Sequence, residues 1–321
     1  MKLSIKFRTY PLKQPFSISR GTRSKAEVIE VRITRNGVTG RGECVPYARY
    51  GESPSGVCEQ LYGVKLPVSR DSLQLALPPG AARNALDCAL WDLEAKTRNV
   101  PVWRLARLPA PKSIDTAYTL SLDTPRAMHE DAHANRHRPL LKVKLGDAGD
   151  LNRLHAVRSA APTSKLIVDA NEGWTAQEMP EIMHELAAAN VSLVEQPLPV
   201  GNDEALVGIP HLIPICADES CHDRKSLPQL KGRYEFINIK LDKTGGLTEA
   251  LKLLEAAKEH GFGIMIGCMI GSSLGIAPAT LLGHSAQYVD LDPPLLLASD
   301  QRHAISYKDS RIDPPQPELW G

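Results

Sequence analysis

From residue 112 onward a single alternation governs the chain: short β-rich runs separated by amphipathic helical stretches, repeating about every 25 residues. The runs are 113–120, 140–145, 165–169, 191–195, 213–217, 236–241, 263–267 and 287–290, and helical stretches such as 176–189 and 247–260 lie between them. Repeated βα units make parallel strands, because each crossover helix returns the chain to the start of the next strand. Eight such strands close most simply into a barrel, so the expected fold is α/β with the barrel over 111–300.

Several runs end on a charged residue, at the end of the strand where a barrel places its chemistry. In order these are Lys144, Asp169 in LIVDAN, Glu195 in SLVEQP, Asp218 in PICADES, Lys240 in INIKLD and Asp290 in YVDLD; the first five are separated by 25, 26, 23 and 22 residues. Ends of consecutive strands sit side by side, so Asp169, Glu195 and Asp218 should converge, and three converging carboxylates repel unless a cation joins them. An all-oxygen set suits a hard divalent ion, Mg²⁺ first and Mn²⁺ second. Each acid taken singly is also a plausible helix N-cap. As a set in register, flanked by lysines, they read as ligands.

Lys142 and Lys144 are spaced i, i+2 within LLKVKL and therefore share one strand face, opposite Leu141, Val143 and Leu145. Alone, a KxK reads as a pair of charges guarding an edge strand. Beside the carboxylates it reads as chemistry, since like-charge proximity lowers a lysine's pKa toward that of a base.

The first third, 1–110, is a small α+β domain. Residues 2–10, 26–34 and 37–44 alternate as three antiparallel strands, with Asn36-Gly37 as a hairpin turn, and 52–63 and 81–98 carry helical periodicity. The polar stretches 19–24 and 46–52 either cap a pocket or are solvated loops. Leu108-Pro109-Ala110-Pro111 reads as the linker to the barrel.

With 38 basic and 37 acidic residues the formal net charge is +1, so no global field draws the chain to nucleic acid or to an anionic membrane, and a small molecule is the expected partner. The six cysteines form no CxxC pair, the N-terminus has no apolar signal region, and no apolar run is long enough to span a bilayer; a cytoplasmic protein is expected. The sequence carries no signal of oligomeric state. His129, His133 and His137 fall at i, i+4, i+8, but the surrounding charge makes them a solvated face. Gly245-Gly246 is a turn, not a phosphate cradle.

At these residues the chain resembles the enolase superfamily, specifically its muconate lactonizing enzyme subgroup with KxK on the second barrel strand. The resemblance covers nearly the whole chain. It implies a modified TIM barrel, (β/α)7β, under an N-terminal α+β capping domain, with 301–321 returning toward the cap. It also implies Mg²⁺ on Asp169, Glu195 and Asp218, bases Lys144 and Lys240 on opposite faces of the substrate, and Lys142 tuning Lys144 and the metal-bound carboxylate. Longer stretches, GECVPYARYGES, PPGAARNALDCALWDL, PICADES, INIKLDKTGGLTEAL and YVDLD, resemble bacterial dipeptide epimerases of the L-Ala-D/L-Glu type.

In that branch Asp290 and Asp292 would hold the dipeptide ammonium and Arg23 the glutamate side-chain carboxylate, which agrees with charge pairing, and the i, i+2 spacing of Asp290 and Asp292 lets one strand face present both. The implied reaction is inversion at the Glu α-carbon, one lysine removing the proton and the other returning one while the metal stabilises an enediolate, in recycling of murein peptides. Asn171, Asn238 and Glu219 either orient these groups or are simple loop and barrel-interior hydrogen bonders. The alternatives are a dipeptide epimerase of other specificity, a cycloisomerase or o-succinylbenzoate synthase on the same scaffold, or a barrel that binds without catalysis; cycloisomerase and synthase substrates carry no ammonium for Asp290 and Asp292.

Overall fold

The computed structural model describes residues 1–321. Asn36 at φ 51° and Gly37 at φ 80° turn β2 (Gly21–Arg35) into β3 (Val38–Cys44), and β1 (Lys2–Ile18) pairs antiparallel along the other edge of β2. The polar stretch 19–24 is therefore not a free loop. Ser19 and Arg20 alone form the hairpin tip, and Arg23 is a strand residue opposite Phe16. β1 continues past Pro11 because the register shifts between Pro11 and Phe16, a bulge that excuses the missing proline N–H.

Helices α1 (Pro54–Tyr62), α2 (Arg70–Ala76) and α3 (Ala81–Arg98) cover one face of this sheet. The sequence reading missed α2, although Ser69 and Ser72 form a capping box that announces it. α3 lies directly on the β3 backbone: a Cβ on Gly40 would come 2.1 Å from Ala89 O, and one on Gly42 would come 2.1 Å from Ala85 O. Only glycine admits that approach.

The parallel sheet has eight strands: β5 (Tyr118–Leu120), β6 (Leu140–Lys144), β7 (Lys165–Asp169), β8 (Val191–Glu195), β9 (Ile215–Ala217), β10 (Phe236–Lys240), β11 (Gly263–Gly267) and β12 (Tyr288–Val289), each paired with its sequence neighbours. Its edges meet through Ala117 N–H donating to Val289 O and Leu291 N–H donating to Thr116 Oγ1, both 2.8 Å. The run read as 113–120 is thus two pieces. β4 (Ile114–Asp115) pairs with β14 (Arg311–Ile312) and through it β13 (Tyr307–Lys308), and the chain changes sheets at Thr116. The helical layer is uneven, with only a 3-10 stretch, Asp203–Gly208, after β8.

Inside the barrel, Ile167, Leu193, Cys216, Met265 and Tyr288 form an apolar floor. Asp169, Glu195, Asp218 and Asp290 each lie two positions beyond one of these, so the period-2 geometry of a strand puts the charged layer above the floor on the same inner face. Leu141, Val143 and Leu145 pack outward into the main core.

Cap and barrel are joined by buried polar contacts. Glu43 Oε1 and Oε2 accept from Ser272 N–H (2.7 Å) and Oγ–H (2.5 Å), Asp87 accepts from Thr248 N–H (2.9 Å), and Asp242 accepts from Val45 N–H (3.0 Å). At the C-terminus Trp320 Nε1 donates to Cys88 O (3.0 Å) and Gly321 N–H to Asp92 (2.8 Å), both on α3. Burial pushes the Glu43 carboxyl up to about 7 despite the Ser272 hydrogen bonds that lower it. The folded chain holds this proton where the unfolded chain, titrating near 4.5, has released it. Its favourable contribution is complete below that value and is lost as pH rises to about 7, a change on the order of 3 kcal/mol. Glu43→Gln should therefore be more stable than the parent at pH 8 and lose the advantage by pH 5 in urea unfolding; a pH-independent gap would contradict this.

Candidate active site

β6 turns Lys142 and Lys144 into the barrel, where both are buried. Lys142 Nζ lies 2.7 Å from Asp290 Oδ2, 2.6 Å from Glu195 Oε2 and 3.1 Å from Asp169 Oδ2. Lys144 Nζ donates to Asp169 Oδ2 (2.6 Å) and Asn171 Oδ1 (3.1 Å). On β10, Lys240 Nζ donates to Asp218 Oδ2 (2.6 Å), while Asn238 Nδ2 holds Glu195 Oε1 at 2.8 Å. β6 and β10 stand four places apart in the sheet of eight, so their lysines face each other across the mouth with β7, β8 and β9 between them.

The expectation that the KxK pair lowers its own pKa does not hold for Lys142. Burial alone lowers it, but Asp290, Glu195 and Asp169 together raise it well above the ordinary lysine value. Lys240 behaves likewise, burial being outweighed by Asp218 and then Glu195. Against the cost of burial, Lys144 and Lys142 hold the Asp169 carboxyl well below the carboxylate range, whereas burial and the neighbouring Asp169 raise Glu195.

Asp169 and Glu195 are register partners, and Glu195 pairs with Cys216, two residues before Asp218. No three acidic, histidine or cysteine side chains form a ready-made metal cluster; the strand-end carboxylates turn instead to lysines. The donor set nevertheless fits a hard cation. The oxygens are buried carboxylates, and Glu195 Oε2, close to Lys142 but off the direction of a hydrogen bond, has no hydrogen-bonding partner; neither has Glu219 Oε2. Lys142 neutralises Glu195 Oε2 here, and a set of buried carboxylate oxygens of this kind is what a hard divalent ion takes.

A cavity opens over this layer, lined by Lys144, Asn171, Asp218, Glu219, Lys240 and Cys268 from the barrel and by Arg20, Arg23, Tyr47 and Tyr50 from the cap. Arg23 is exposed, lies 5.1 Å over the Tyr47 ring, and is paired with no carboxylate; Arg20, the other guanidinium on the cavity wall, is bound to Glu219 at 2.7 Å. Asp290 and Asp292 do not line the cavity. Nor do they share a strand face, because β12 ends at Val289 and Asp292, with helical φ/ψ, caps the short helix Pro293–Leu296. Asp292 Oδ2 accepts from Thr119 N–H (2.7 Å), and burial beside the Asp290 charge raises its carboxyl. His129 and His133 stack at 6.4 Å on an exposed face, and the helix ends at Ala134, short of His137.

Sequence reasoning missed Lys243. Fully buried, it donates to Asp218 Oδ1 (2.6 Å) and O (2.5 Å) and to Asn238 O (2.9 Å), fixing both neighbours of Lys240. A lysine three residues past a strand-end lysine, before the turn at Gly245-Gly246, was the available signal.

Residues 2–106 match the mandelate racemase / muconate lactonizing enzyme N-terminal domain, and 127–317 match the enolase C-terminal domain-like family. The chain is 49% identical to an N-acetyl-D-glutamate racemase of Pseudoalteromonas sp over 92% of its length and 95% of the relative's. It is 46% identical to the L-Ala-D/L-Glu epimerase of Escherichia coli, over 94% and 96%. An enolase family member from Agrobacterium tumefaciens with homology to dipeptide epimerases, solved with sodium and L-Ala-L-Glu bound, superimposes with a TM-score of 0.98 at 47% identity, covering 99% of each chain. A more distant dipeptide epimerase from Cytophaga hutchinsonii, 29% identical with a TM-score of 0.91 over 98% and 92% of the two chains, was solved with Mg and D-Ala-L-Val. A capping sheet over a curled eight-stranded parallel sheet, matched in sequence along both parts, makes the chain a member of the mandelate racemase / muconate lactonizing enzyme family of the enolase superfamily, and an isomerase of the epimerase and racemase kind.

Proposed function

We propose that the protein is a Mg²⁺-dependent dipeptide epimerase that interconverts L-Ala-D-Glu and L-Ala-L-Glu at the Glu α-carbon. The observation that carries this reading is the placement of Lys144 and Lys240 on opposite walls of one cavity, with three carboxylate-bearing strands between them. Inversion needs a base on one face of a planar carbon and an acid on the other, and two facing lysines supply both. Asp169, Glu195 and Asp218 would hold the metal, which supplies positive charge against the substrate carboxylate as the α-proton leaves. Asn238 orients Glu195, Lys243 orients Asp218, and Lys142 and Asn171 orient Asp169 and Lys144. Substrates of this kind place the activity in the breakdown and reuse of murein peptides inside the cell.

Arg23 is the unpaired guanidinium on the cavity wall and meets the Glu side-chain carboxylate. Arg23→Ala should raise KM for L-Ala-L-Glu about 10- to 100-fold, the loss of one charged hydrogen-bonded pair, while barely changing KM for L-Ala-L-Gln. Equal losses on both dipeptides would move that carboxylate elsewhere.

A second reading, racemisation of an N-acyl glutamate, is favoured by the relative at 49% identity. It shares the α-carbon and the Arg23 contact but has no ammonium. Asp290 and Asp292 stand behind the cavity lining, Asp290 on Lys142, so the preference for the dipeptide rests on the 46% identical L-Ala-D/L-Glu epimerase and on the 47% identical structure solved with L-Ala-L-Glu. Comparing kcat/KM for L-Ala-L-Glu with that for N-acetyl-L-Glu decides between them. The dipeptide should lead by at least about tenfold, and the reverse order would replace this reading with the second.

A further inference from the structure

Four segments meet at one carboxylate outside the catalytic layer. Glu172 follows β7 in a turn where Asn171 and Glu172 are both left-handed, at φ 46° and 69°, and its side chain is only 7% exposed. Its Oε1 and Oε2 accept a bidentate fork from Arg49, at 2.6 and 2.8 Å. Oε2 also accepts from Arg20 Nη1 (3.2 Å), and Oε1 from Val200 N–H (2.9 Å). Arg20 is on the tip of the β1–β2 hairpin and donates further to Asn171 O (2.7 Å) and Tyr47 OH (3.2 Å); Arg49 is on the 3-10 turn Ala48–Tyr50, and Val200 is in the loop after β8. Glu172 thus ties both cap loops to two barrel loops around the rim of the cavity. Bidentate, nearly buried pairing is the strong form of such a contact, and a left-handed glutamate persists only where its surroundings hold it.

We propose that Glu172 is a positioning residue that clasps the two cap loops shut over the cavity, touching no substrate but setting how much of the protein is closed and competent to retain it. Apparent affinity scales with the competent fraction, so loosening the clasp raises KM and leaves the proton-transfer step alone. When Glu172 is changed the cap keeps its own apolar core, so the domain stays folded; the 48–50 turn loses its tie to the barrel, and the hairpin tip is left with the weaker hold of Glu219 and the Asn171 carbonyl. The kinetic part of this inference rests on the epimerase reading; the structural part does not.

The test compares the parent with Glu172→Gln, Glu172→Asp and Arg49→Gln in two assays. In the first, trypsin cleavage after Arg20 and Arg23 is followed by mass spectrometry without substrate; Glu172→Gln should be cut there about tenfold faster, with unchanged melting temperature. In the second, KM for L-Ala-L-Glu should rise about tenfold in Glu172→Gln with kcat within about twofold, and Glu172→Asp should recover part of the loss. Arg49→Gln, at a side chain 37% exposed, should shift both readouts the same way and carries the test if Glu172→Gln does not fold. Unchanged cleavage overturns the clasp, even if the protein turns over no dipeptide at all. Faster cleavage with unchanged KM, or a fall in kcat alone, overturns its link to substrate retention.

Discussion

Lys240→Ala and Lys144→Ala should each slow epimerisation about 10²–10⁴-fold, the usual worth of a positioned acid or base, and should do so with opposite stereochemical leftovers. Each variant keeps one lysine on one wall of the cavity. In D₂O that lysine still removes the α-proton from the diastereomer that presents it, and returns deuterium to the same face. One variant should therefore exchange L-Ala-L-Glu without inverting it, and the other should do the same only to L-Ala-D-Glu. Neither substitution strands a buried carboxylate, because Asp218 keeps Lys243 and Asp169 keeps Lys142. If both variants exchanged the same diastereomer, the two-base arrangement would be wrong.

The second large effect concerns the metal. Stripping it with EDTA should lower turnover by at least about 10³-fold, since several kcal/mol of charge stabilisation leave with it, and Mg²⁺ should restore the rate. Mg²⁺ should also raise the melting temperature of the parent, because a ligand that binds only the folded state stabilises it by mass action. Glu195→Gln removes a charge from the site and should lose both the restored turnover and the shift. A parent insensitive to EDTA, with no Mg²⁺-dependent shift, would remove the metal from the account.

Much of the charged layer was legible in the sequence because local periodicities encode it. Period 2 within a strand placed Lys142 and Lys144 on one face, and a spacing near 25 residues put Lys144, Asp169, Glu195, Asp218 and Lys240 at the mouth, all of which the structure gathers there. What the sequence hid depends on partners far along the chain. Lys142 was misjudged because its neighbour in sequence, Lys144, matters less than three carboxylates from β7, β8 and the segment after β12. Glu172 stands in a turn beside Asp169, and its importance comes from arginines more than 120 residues upstream. The i, i+2 rule failed for Asp290 and Asp292 because Pro293 and Pro294 follow, and Asp292 starts a helix instead of extending β12. The strand read over 113–120 breaks at Thr116, whose partner Leu291 is 175 residues away.

The most direct test of the account is proton NMR of L-Ala-L-Glu in D₂O with the parent protein and Mg²⁺. The account predicts that the Glu α-proton signal disappears while resonances of L-Ala-D-Glu grow in, its α-carbon deuterated. A Glu α-proton that survives prolonged incubation, with no second diastereomer formed, would contradict it.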